Sequence, residues 1–256
     1  MGATRVRYLL LAVPLIVAVA GPLIPYELVR SASFADVGLL GTDFAGRDVW
    51  HQVLVGGRTL VLTALLATAG AYLLGTLWGL AAASAPRMLD EALMRPLDVL
   101  MAVPSLLLLL VVAALAPEGV LVWTVMLVHL PDIARLVRAC ALEAGSRPAV
   151  EAMRLQGEGW WRINVGFVAR SMARVLATDA GSRLTGSLYL IAAASFLGVG
   201  VAPDADDWAV MVDRNRGGLF LNPWAVLAPS LMIVMLAVGL NLTVDRVLKR
   251  ARHAPR

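Results

Sequence analysis

Asp179 and Arg183 are the residues whose types and spacing most directly suggest chemistry, because both are charged and both lie in a long apolar run. Ionisable side chains inside a membrane cost a few kcal/mol each, and they usually pair or face water. A spacing of four residues places the two on one helix face, where they can pair with one another. Two interpretations stay open: the pair lines a path for a solute, or it is a structural ion pair near the inner membrane face.

Other catalytic or metal sites are not indicated. No histidine partner is evident for the serines of the apolar runs, which are Ser105, Ser187 and Ser195, and such serines usually bond neighbouring backbone. Metal-site spacing is also lacking among the histidines, which are His51, His129 and His253. Cys140 is the only cysteine, so it cannot form a disulfide within the chain. We therefore expect no catalytic residue, metal or cofactor in this chain.

A phosphate loop is missing as well. The sequence lacks the pattern Gly-x-x-x-x-Gly-Lys-Ser/Thr, and the only lysine, Lys249, follows Leu248 rather than a glycine. If ATP drives this protein, another subunit must bind and hydrolyse it.

The composition indicates a membrane protein. Apolar residues make up 59% of the 256 residues and charged residues 16%, against about 25% charged residues in soluble domains, and the mean hydropathy is +0.77. About 20 helical residues cross a bilayer core of about 30 Å, and the apolar runs lack the alternation of barrel strands. We predict an all-α, polytopic membrane helix bundle with about six spans, at residues 8–26, 59–84, 97–116, 119–134, 174–199 and 223–243.

The basic residues predict the orientation. With a cytoplasmic N-terminus, sixteen basic side chains fall on the cytoplasmic side and five outside, as the positive-inside rule requires. Both termini are then cytoplasmic, and the first apolar run is taken as an uncleaved span rather than a signal peptide. The chain is predicted to be one transmembrane domain, with a first span and external segment (1–58), a core (59–243) and a basic tail (244–256).

A polar, arginine-rich segment from Ala134 to Ser171 separates the fourth and fifth spans. Within it, the run from Glu151 to Gly157 predicts a short amphipathic helix closed by glycine, and Ile163 follows. Such a helix can insert into a groove of a partner, with Ala152 permitting close approach and Gly157 a sharp turn. This cytoplasmic loop is therefore predicted to dock a partner protein.

Two external segments carry further polar residues. The first contains Gly41, Thr42, Asp43, Gly46, Arg47 and Asp48. We expect Asp43 to cap an amphipathic helix that starts near Val49 and lies on the outer leaflet. The second contains Asp204, Asp206 and Asp207, for which a solvated loop is expected and a role in recognition stays open.

The second span has a stripe of small residues, namely Ala67, Gly70, Ala71, Gly75, Gly79 and Ala82. Small residues let helix backbones approach closely. We expect packing within the chain here, with a subunit interface as the alternative. Prolines at 14, 22, 96, 104 and 131 lie within or at the ends of spans, where they kink helices or free carbonyls. Kinked helices suit a conduit, although they also occur in inert bundles.

Together these motifs resemble a known family, the inner-membrane permease subunits of ATP-binding-cassette importers of the dipeptide, oligopeptide and nickel type. The resemblance covers nearly the whole chain. It rests on the external motif from Leu40 to Asp48 with Gly57-Arg58, Glu151-Ala152 with Gly157 and Ile163, Ser195 to Gly200 with Pro203 and Trp208, and Asn241-Leu242 with Asp245. Two positions depart from the pattern: Met153 replaces a second alanine, and Ala169-Arg170 replaces Leu-Pro.

The resemblance implies a bacterial inner-membrane transport subunit. A homologous second permease would complete the translocation path, and an external binding protein would deliver substrate. Two ATPase subunits, which bind ATP and Mg, would dock on the loop from Glu151 to Ile163. Arg47 and Asp48 would hold outer elements together, and for Asp179 and Arg183 both interpretations, a lining of the path and a structural pair, stay open. The substrate implied is a peptide, nickel or another chelated metal, or an opine-like compound; nucleic acid is not expected.

Two other classes stay open at this point. An intramembrane enzyme needs convergent polar side chains at membrane depth, and Asp179 and Arg183 are the candidates. A passive channel or structural membrane module predicts flux or assembly without any ATPase.

Overall fold

The computed structural model describes residues 2–25, 30–115, 119–202 and 204–253, which form helices joined by turns and loops, without a strand among them. The α-helices in these ranges are α1 (Gly2–Ala20), α2 (Val49–Ser84), α3 (Arg87–Ala102), α4 (Ser105–Leu115), α5 (Val120–Gly145), α6 (Pro148–Leu155), α7 (Arg170–Phe196), α8 (Trp208–Asn215) and α9 (Trp224–His253). Short 3-10 helices lie at Gly21–Leu23 and Arg216–Gly218, and a π-helix lies at Arg162–Ala169. The all-α fold is confirmed.

Parts of some predictions lie outside the described residues. These parts are the ends of two predicted spans at Tyr26 and Ala116, Pro203 of the C-terminal motif, and the side chains of Arg5, Arg7 and residues 247–256.

Within the described residues, α2, α5 and the Trp224–Arg246 part of α9 are long and apolar enough to cross a membrane. A fourth span results if α3 and Ser105–Val112 are taken together. The first apolar helix is shorter, at Tyr8–Leu23. The 27 residues of α7 are not in this apolar set, since that helix carries charged residues. A polytopic bundle is thus confirmed, with three or four of its spans meeting this criterion.

The predicted third span, 97–116, is broken into two helices. Val103 is extended, as expected for a residue that precedes proline, and Pro104 has no N–H to continue the helical ladder. The first bond of the next helix runs from the Leu108 N–H to the Pro104 carbonyl, at 3.0 Å. As a result, α3 and α4 differ in direction by 89°.

The small-residue stripe of α2 packs against α5. A Cβ added to Gly79 would lie 2.5 Å from the Ala134 carbonyl oxygen, and one added to Gly75 would lie 2.8 Å from Ile133 Cγ2. The missing side chains therefore let the two backbones meet. Packing within the chain, the interpretation preferred from the sequence, is confirmed for these two glycines.

Helix α5 is longer than the predicted span 119–134, because it continues to Gly145. Arg135 and Arg138, expected in the docking loop, are therefore helical. Arg138 Nε donates to Asp90 Oδ1 at 2.6 Å, and Arg135 pairs with Asp98. Both carboxylates belong to α3, so two ion pairs tie α5 to α3, and the loop for which docking is predicted begins later in the chain than expected.

The start of α2 also differs from the prediction. Asp48, not Asp43, caps the helix, and its side chain accepts a bond from the His51 N–H at 3.0 Å. Val49 and Val53 are fully buried at the start of a continuous 36-residue helix. A separate amphipathic helix on the outer leaflet is therefore wrong, because these apolar residues face the protein core.

Candidate functional site

The predicted pair of Asp179 and Arg183 forms on α7, with Arg183 Nε 3.3 Å from Asp179 Oδ2. Two further side chains from other helices join it. Arg183 Nη1 donates to Asp132 Oδ2 of α5 at 2.6 Å, and the hydroxyl of Tyr72 in α2 donates to Asp179 Oδ2 at 2.5 Å. These four residues, Tyr72, Asp132, Asp179 and Arg183, are called the polar cluster below.

The polar cluster lies well inside the bundle. At 1.5 Å per residue, Asp132 is about 18 Å along α5 from Val120, and Arg183 is about 20 Å along α7 from Arg170. Helices α5 and α7 have 26 and 27 residues, so both positions lie near the middle of their helices. The cluster has two carboxylates and one guanidinium, and each of these three groups remains partly exposed.

Sequence reasoning missed Asp132 and Tyr72. Asp132 lies next to Pro131 near the end of the predicted span 119–134 and was not singled out as a candidate. Tyr72 gave no signal, since a tyrosine is common in a span. Their partners are 51 and 107 residues away in the chain, so no local spacing could identify them.

A cavity of about 410 Å³ adjoins the polar cluster. It lies at the break between α3 and α4, and α5 and α7 form its other walls. Asp132 and Arg183 both line it, whereas Val103 and Pro104 contribute the broken backbone. Irregular backbone at membrane depth is tolerated where it is buried in protein or lines a water-filled cavity.

The predicted docking helix is α6. Pro148 occupies its first turn, Glu151 lies near its N-terminus and Arg154 lies near its C-terminus, an arrangement that suits the helix dipole. Val150 is fully buried, whereas Leu155 is 85% exposed. One side of α6 is therefore anchored in the protein, while the apolar side chain of Leu155 at its C-terminal end is exposed on the protein surface.

The end of α6 is fixed by glycine, as predicted. Gly157 has a φ of +76°, which favours glycine over residues with a Cβ. Its N–H bonds to the Arg154 carbonyl at 3.0 Å, and the Glu158 N–H bonds to the Met153 carbonyl at 3.1 Å. These two bonds form a Schellman motif, so the exit of the chain from α6 is geometrically defined.

Ile163 has a different environment from Glu151 and Ala152. The latter two are exposed on α6, but Ile163 is buried in the same apolar cluster as Val150 and Val137. Ile163 therefore holds the loop to the bundle and does not offer a contact surface.

Both departures from the family pattern have a structural counterpart. Met153 is half-buried and packs against the cluster that contains Val150 and Ile163. The absence of proline at position 170 lets the π-helix Arg162–Ala169 continue directly into α7, because every residue can donate its N–H.

The first external motif is built around Asp43, which is fully buried. Its carboxylate accepts bonds from the N–H groups of Ala45 and Arg47, and also from Arg47 Nε at 3.0 Å and Gln52 Nε2 at 3.1 Å. Arg47 Nη1 reaches the Asp204 carbonyl of the other external segment, at 3.5 Å. Asp43 thus organises a turn instead of capping a helix.

The two external segments are bonded together. The Phe44 N–H donates to Asn215 Oδ1 at 3.0 Å, and Asn222 Nδ2 donates to the carbonyls of Leu40 and Thr42, also at 3.0 Å. Trp208 Nε1 donates to the Val53 carbonyl at 2.8 Å. These segments form one cap over the bundle, which we call the external cap.

The acidic residues of the second external segment are not equivalent. Asp204 is exposed, but Asp207 is fully buried and caps α8 by accepting from the Ala209 N–H at 2.9 Å. Burial raises the pKa of the Asp207 carboxyl above its usual value, although bonds from the Ala209 and Val210 N–H groups act in the opposite direction. A solvated loop is therefore wrong for Asp207.

Comparison with known proteins gives a family match over residues 71–253, to the model described as "Binding-protein-dependent transport system inner membrane component". A di/tripeptide transport system permease protein of Pseudomonas aeruginosa is 32% identical over 209 residues, which cover 81% of this chain and 69% of that protein. A glutathione transport system permease protein of Pectobacterium atrosepticum is 29% identical over 208 residues, covering 80% and 69%. A probable D,D-dipeptide transport system permease protein of Escherichia coli is 28% identical over 209 residues, covering 81% and 70%.

Proposed function

The chain belongs to the binding-protein-dependent transport system inner membrane components, as a permease of the peptide-importer type, and from this premise we propose that it forms one half of a peptide translocation path. A homologous second permease supplies the other half. An external binding protein delivers the peptide, and two ATPase subunits bind ATP and Mg and drive import. The chain itself lies in the bacterial inner membrane as a multi-pass protein, and the charge distribution supports cytoplasmic termini.

A peptide is the proposed substrate because the named relatives are permeases for di/tripeptides, glutathione and D,D-dipeptides. Nickel, a metal chelate or an opine stays a prediction from the sequence resemblance. The polar cluster and its cavity support a path along α5 and α7, with Asp179 and Arg183 in its wall.

The geometry of α6 is the observation that carries the coupling proposal. Buried Val150 anchors the helix, exposed Leu155 gives it an apolar contact, and Gly157 fixes its end. A short helix held in this way can enter a groove of an ATPase and pass that subunit's movement to the bundle. Glu151 and Ala152 then face the ATPase, and Ile163 secures the loop from inside.

Gly157→Val tests this proposal. A β-branched residue is strongly disfavoured at a φ of +76°, so the end of α6 must rearrange. We expect the importer purified through this chain to lose its ATPase subunits, or to keep them and lose stimulation of ATP hydrolysis by the loaded binding protein.

Gly119→Val is the matched control, because Gly119 also has a positive φ, +88°, and a Cβ there would meet open space. It lies away from α6, and its assembly and stimulated hydrolysis should stay near wild type. Unchanged assembly and stimulation in Gly157→Val would contradict a docking role for α6. A wild-type chain that purifies without a second permease or ATPase would instead favour a passive channel or an enzyme.

A further inference from the structure

The cavity beside the polar cluster has the size and lining of a ligand site. Its volume of about 410 Å³ lies within the range of about 300–1,000 Å³ that is usual for small-molecule pockets. Its lining includes apolar residues such as Leu100, Leu108 and Leu190. Three ionisable side chains interrupt that lining, and these are His129, Asp132 and Arg183.

The charges around this cavity do not balance. Asp132 and Asp179 contribute two negative charges, and Arg183, which bonds to both, contributes one positive charge. Asp179 Oδ2 also accepts the Tyr72 hydroxyl, so this oxygen has two donors, Tyr72 and Arg183. Asp132 is 35% exposed and lines the cavity. The excess negative charge is therefore presented to the cavity through Asp132.

His129 provides an independent sign of a missing partner. Its side chain is only 7% exposed, and its Nε2 atom is buried with no hydrogen-bond partner among the described residues. Buried polar atoms are nearly always bonded, so an unpaired one in a cavity wall needs an explanation. Gly186 stands beside the ring, where an added Cβ would lie 3.2 Å from His129 Cε1.

The backbone of α5 adds a further acceptor to the same wall. Pro131 cannot donate the N–H that would normally bond to the carbonyl four residues earlier, which belongs to Leu127. Leu127 also lines the cavity. The Asp132 carboxylate and the Leu127 carbonyl are acceptors, as is His129 Nε2 in the tautomer protonated on Nδ1. Arg183, the one cationic side chain in this wall, is already bonded to Asp132 and Asp179, so the wall suits a cationic donor.

We propose that this cavity binds a primary ammonium group, the protonated α-amino terminus of a peptide in transit, between the Asp132 carboxylate and His129 Nε2. An ammonium group has three N–H donors, and its charge neutralises the excess carboxylate in a setting where unpaired charge is costly. The apolar wall then contacts the peptide side chains. This assignment rests on the proposed function as a peptide importer and adds the chemical group that the path recognises.

Asp132→Asn tests the assignment in the complete importer, reconstituted in liposomes with its binding protein, using radiolabelled Ala-Ala as the probe. Arg183 keeps Asp179 as its partner in this variant, so the cluster becomes neutral and the complex should still assemble. We expect the maximum uptake rate to fall at least about tenfold, the effect of losing one charged hydrogen bond. The concentration of loaded binding protein that gives half-maximal uptake should not change. Asp132→Glu, which keeps the carboxylate, should recover part of the rate.

Asp213→Asn is the matched control, since it makes the same substitution in an ion pair with Arg216 at the end of α8, outside the cavity, and its uptake should stay within about twofold of wild type. His129→Leu is a second test. It removes Nε2, and when the imidazole is neutral it leaves the net charge unchanged. It should lower uptake of Ala-Ala several-fold.

The outcomes separate this inference from the proposed function. A wild-type importer that does not take up Ala-Ala or any other dipeptide contradicts the proposed function. Wild-type uptake together with unchanged uptake in Asp132→Asn overturns the ammonium site alone. Loss of assembly in both Asp132→Asn and His129→Leu makes the cluster structural and also overturns it. Wild-type uptake can also be measured with choline in place of sodium and potassium. A tenfold fall in that uptake would assign the cavity to an inorganic cation and would likewise overturn the ammonium site.

Discussion

Gly79→Ala adds one methyl group at the closest approach of α2 and α5. The new Cβ would lie 2.5 Å from the carbonyl oxygen of Ala134 and 2.8 Å from Val137 Cβ. Neither neighbour can move easily, because the first is backbone and the second is fully buried. The two helices must therefore separate locally, at a position between the polar cluster and α6.

The expected cost follows from these distances. Overpacking a well-packed core by a methyl group costs about 1–3 kcal/mol, whereas alanine in place of glycine in a helix interior returns about 0.5–1 kcal/mol. The net loss is then about 0–2.5 kcal/mol, with a central value of about 1 kcal/mol. At about 2–4 °C per kcal/mol for a chain of this size, the Tm should fall by several degrees.

Thermal unfolding of the detergent-solubilised importer, followed by size-exclusion chromatography of heated samples, measures this change. Gly145→Ala is the control, because a Cβ at Gly145 at the end of α5 would meet nothing within 4 Å. That variant should be neutral or slightly stabilised. A Gly79→Ala importer that melts at or above the wild-type temperature would refute the argument that this glycine is required for close packing.

Two further predictions concern the external cap and α6. Burial raises the folded-state pKa of Asp207, so the stability that its protonated carboxyl contributes is full below the unfolded-state pKa and is lost as the pH rises through the folded-state pKa. Asp207→Asn, which can still cap α8, should therefore gain more in Tm over wild type at pH 8 than at pH 5. An equal difference in Tm at both pH values would contradict this. Leu155→Ser changes a side chain that is 85% exposed, so the free energy of unfolding should change by no more than about 0.5 kcal/mol, which corresponds to about 1–2 °C in Tm. Co-purification of the ATPase should weaken, and its retention at wild-type strength would argue against an apolar contact at this position.

The sequence was most informative where a property depends on neighbouring residues. In the turn at Gly157, and likewise in the pair of Asp179 with Arg183, the interacting residues are only a few positions apart in the chain. Both features are confirmed. The close packing at Gly79 was predictable for a related reason, because a stripe of small residues within a span is typical of close contact between helix backbones.

Predictions failed where a residue's partner is distant in the chain. Asp43 and Asp48 are both suitable N-caps, and the choice between them depends on Gln52 and Arg47, which bond to Asp43 in the folded cap. Asp207 looked solvated because nothing near it in sequence suggests burial. Asp132 was overlooked because its partner, Arg183, is 51 residues away, so only the packing of α5 against α7 brings the two together.

Helix α5 connects the two parts of the proposed mechanism. Asp132 in the cavity wall and Gly145 beside α6 belong to one unbroken helix, about 20 Å apart along its axis. Between them, Arg135 and Arg138 pair with Asp98 and Asp90 of α3, the helix that ends at the break beside the same cavity. Movement of α6 would therefore reach the cavity from two sides, through Asp132 on α5 and through the broken end of α3. The helix break explains why such movement can change the cavity. Helix α4 differs in direction from α3 by 89°, so α3 can shift with α5 without moving α4 as part of the same rigid helix.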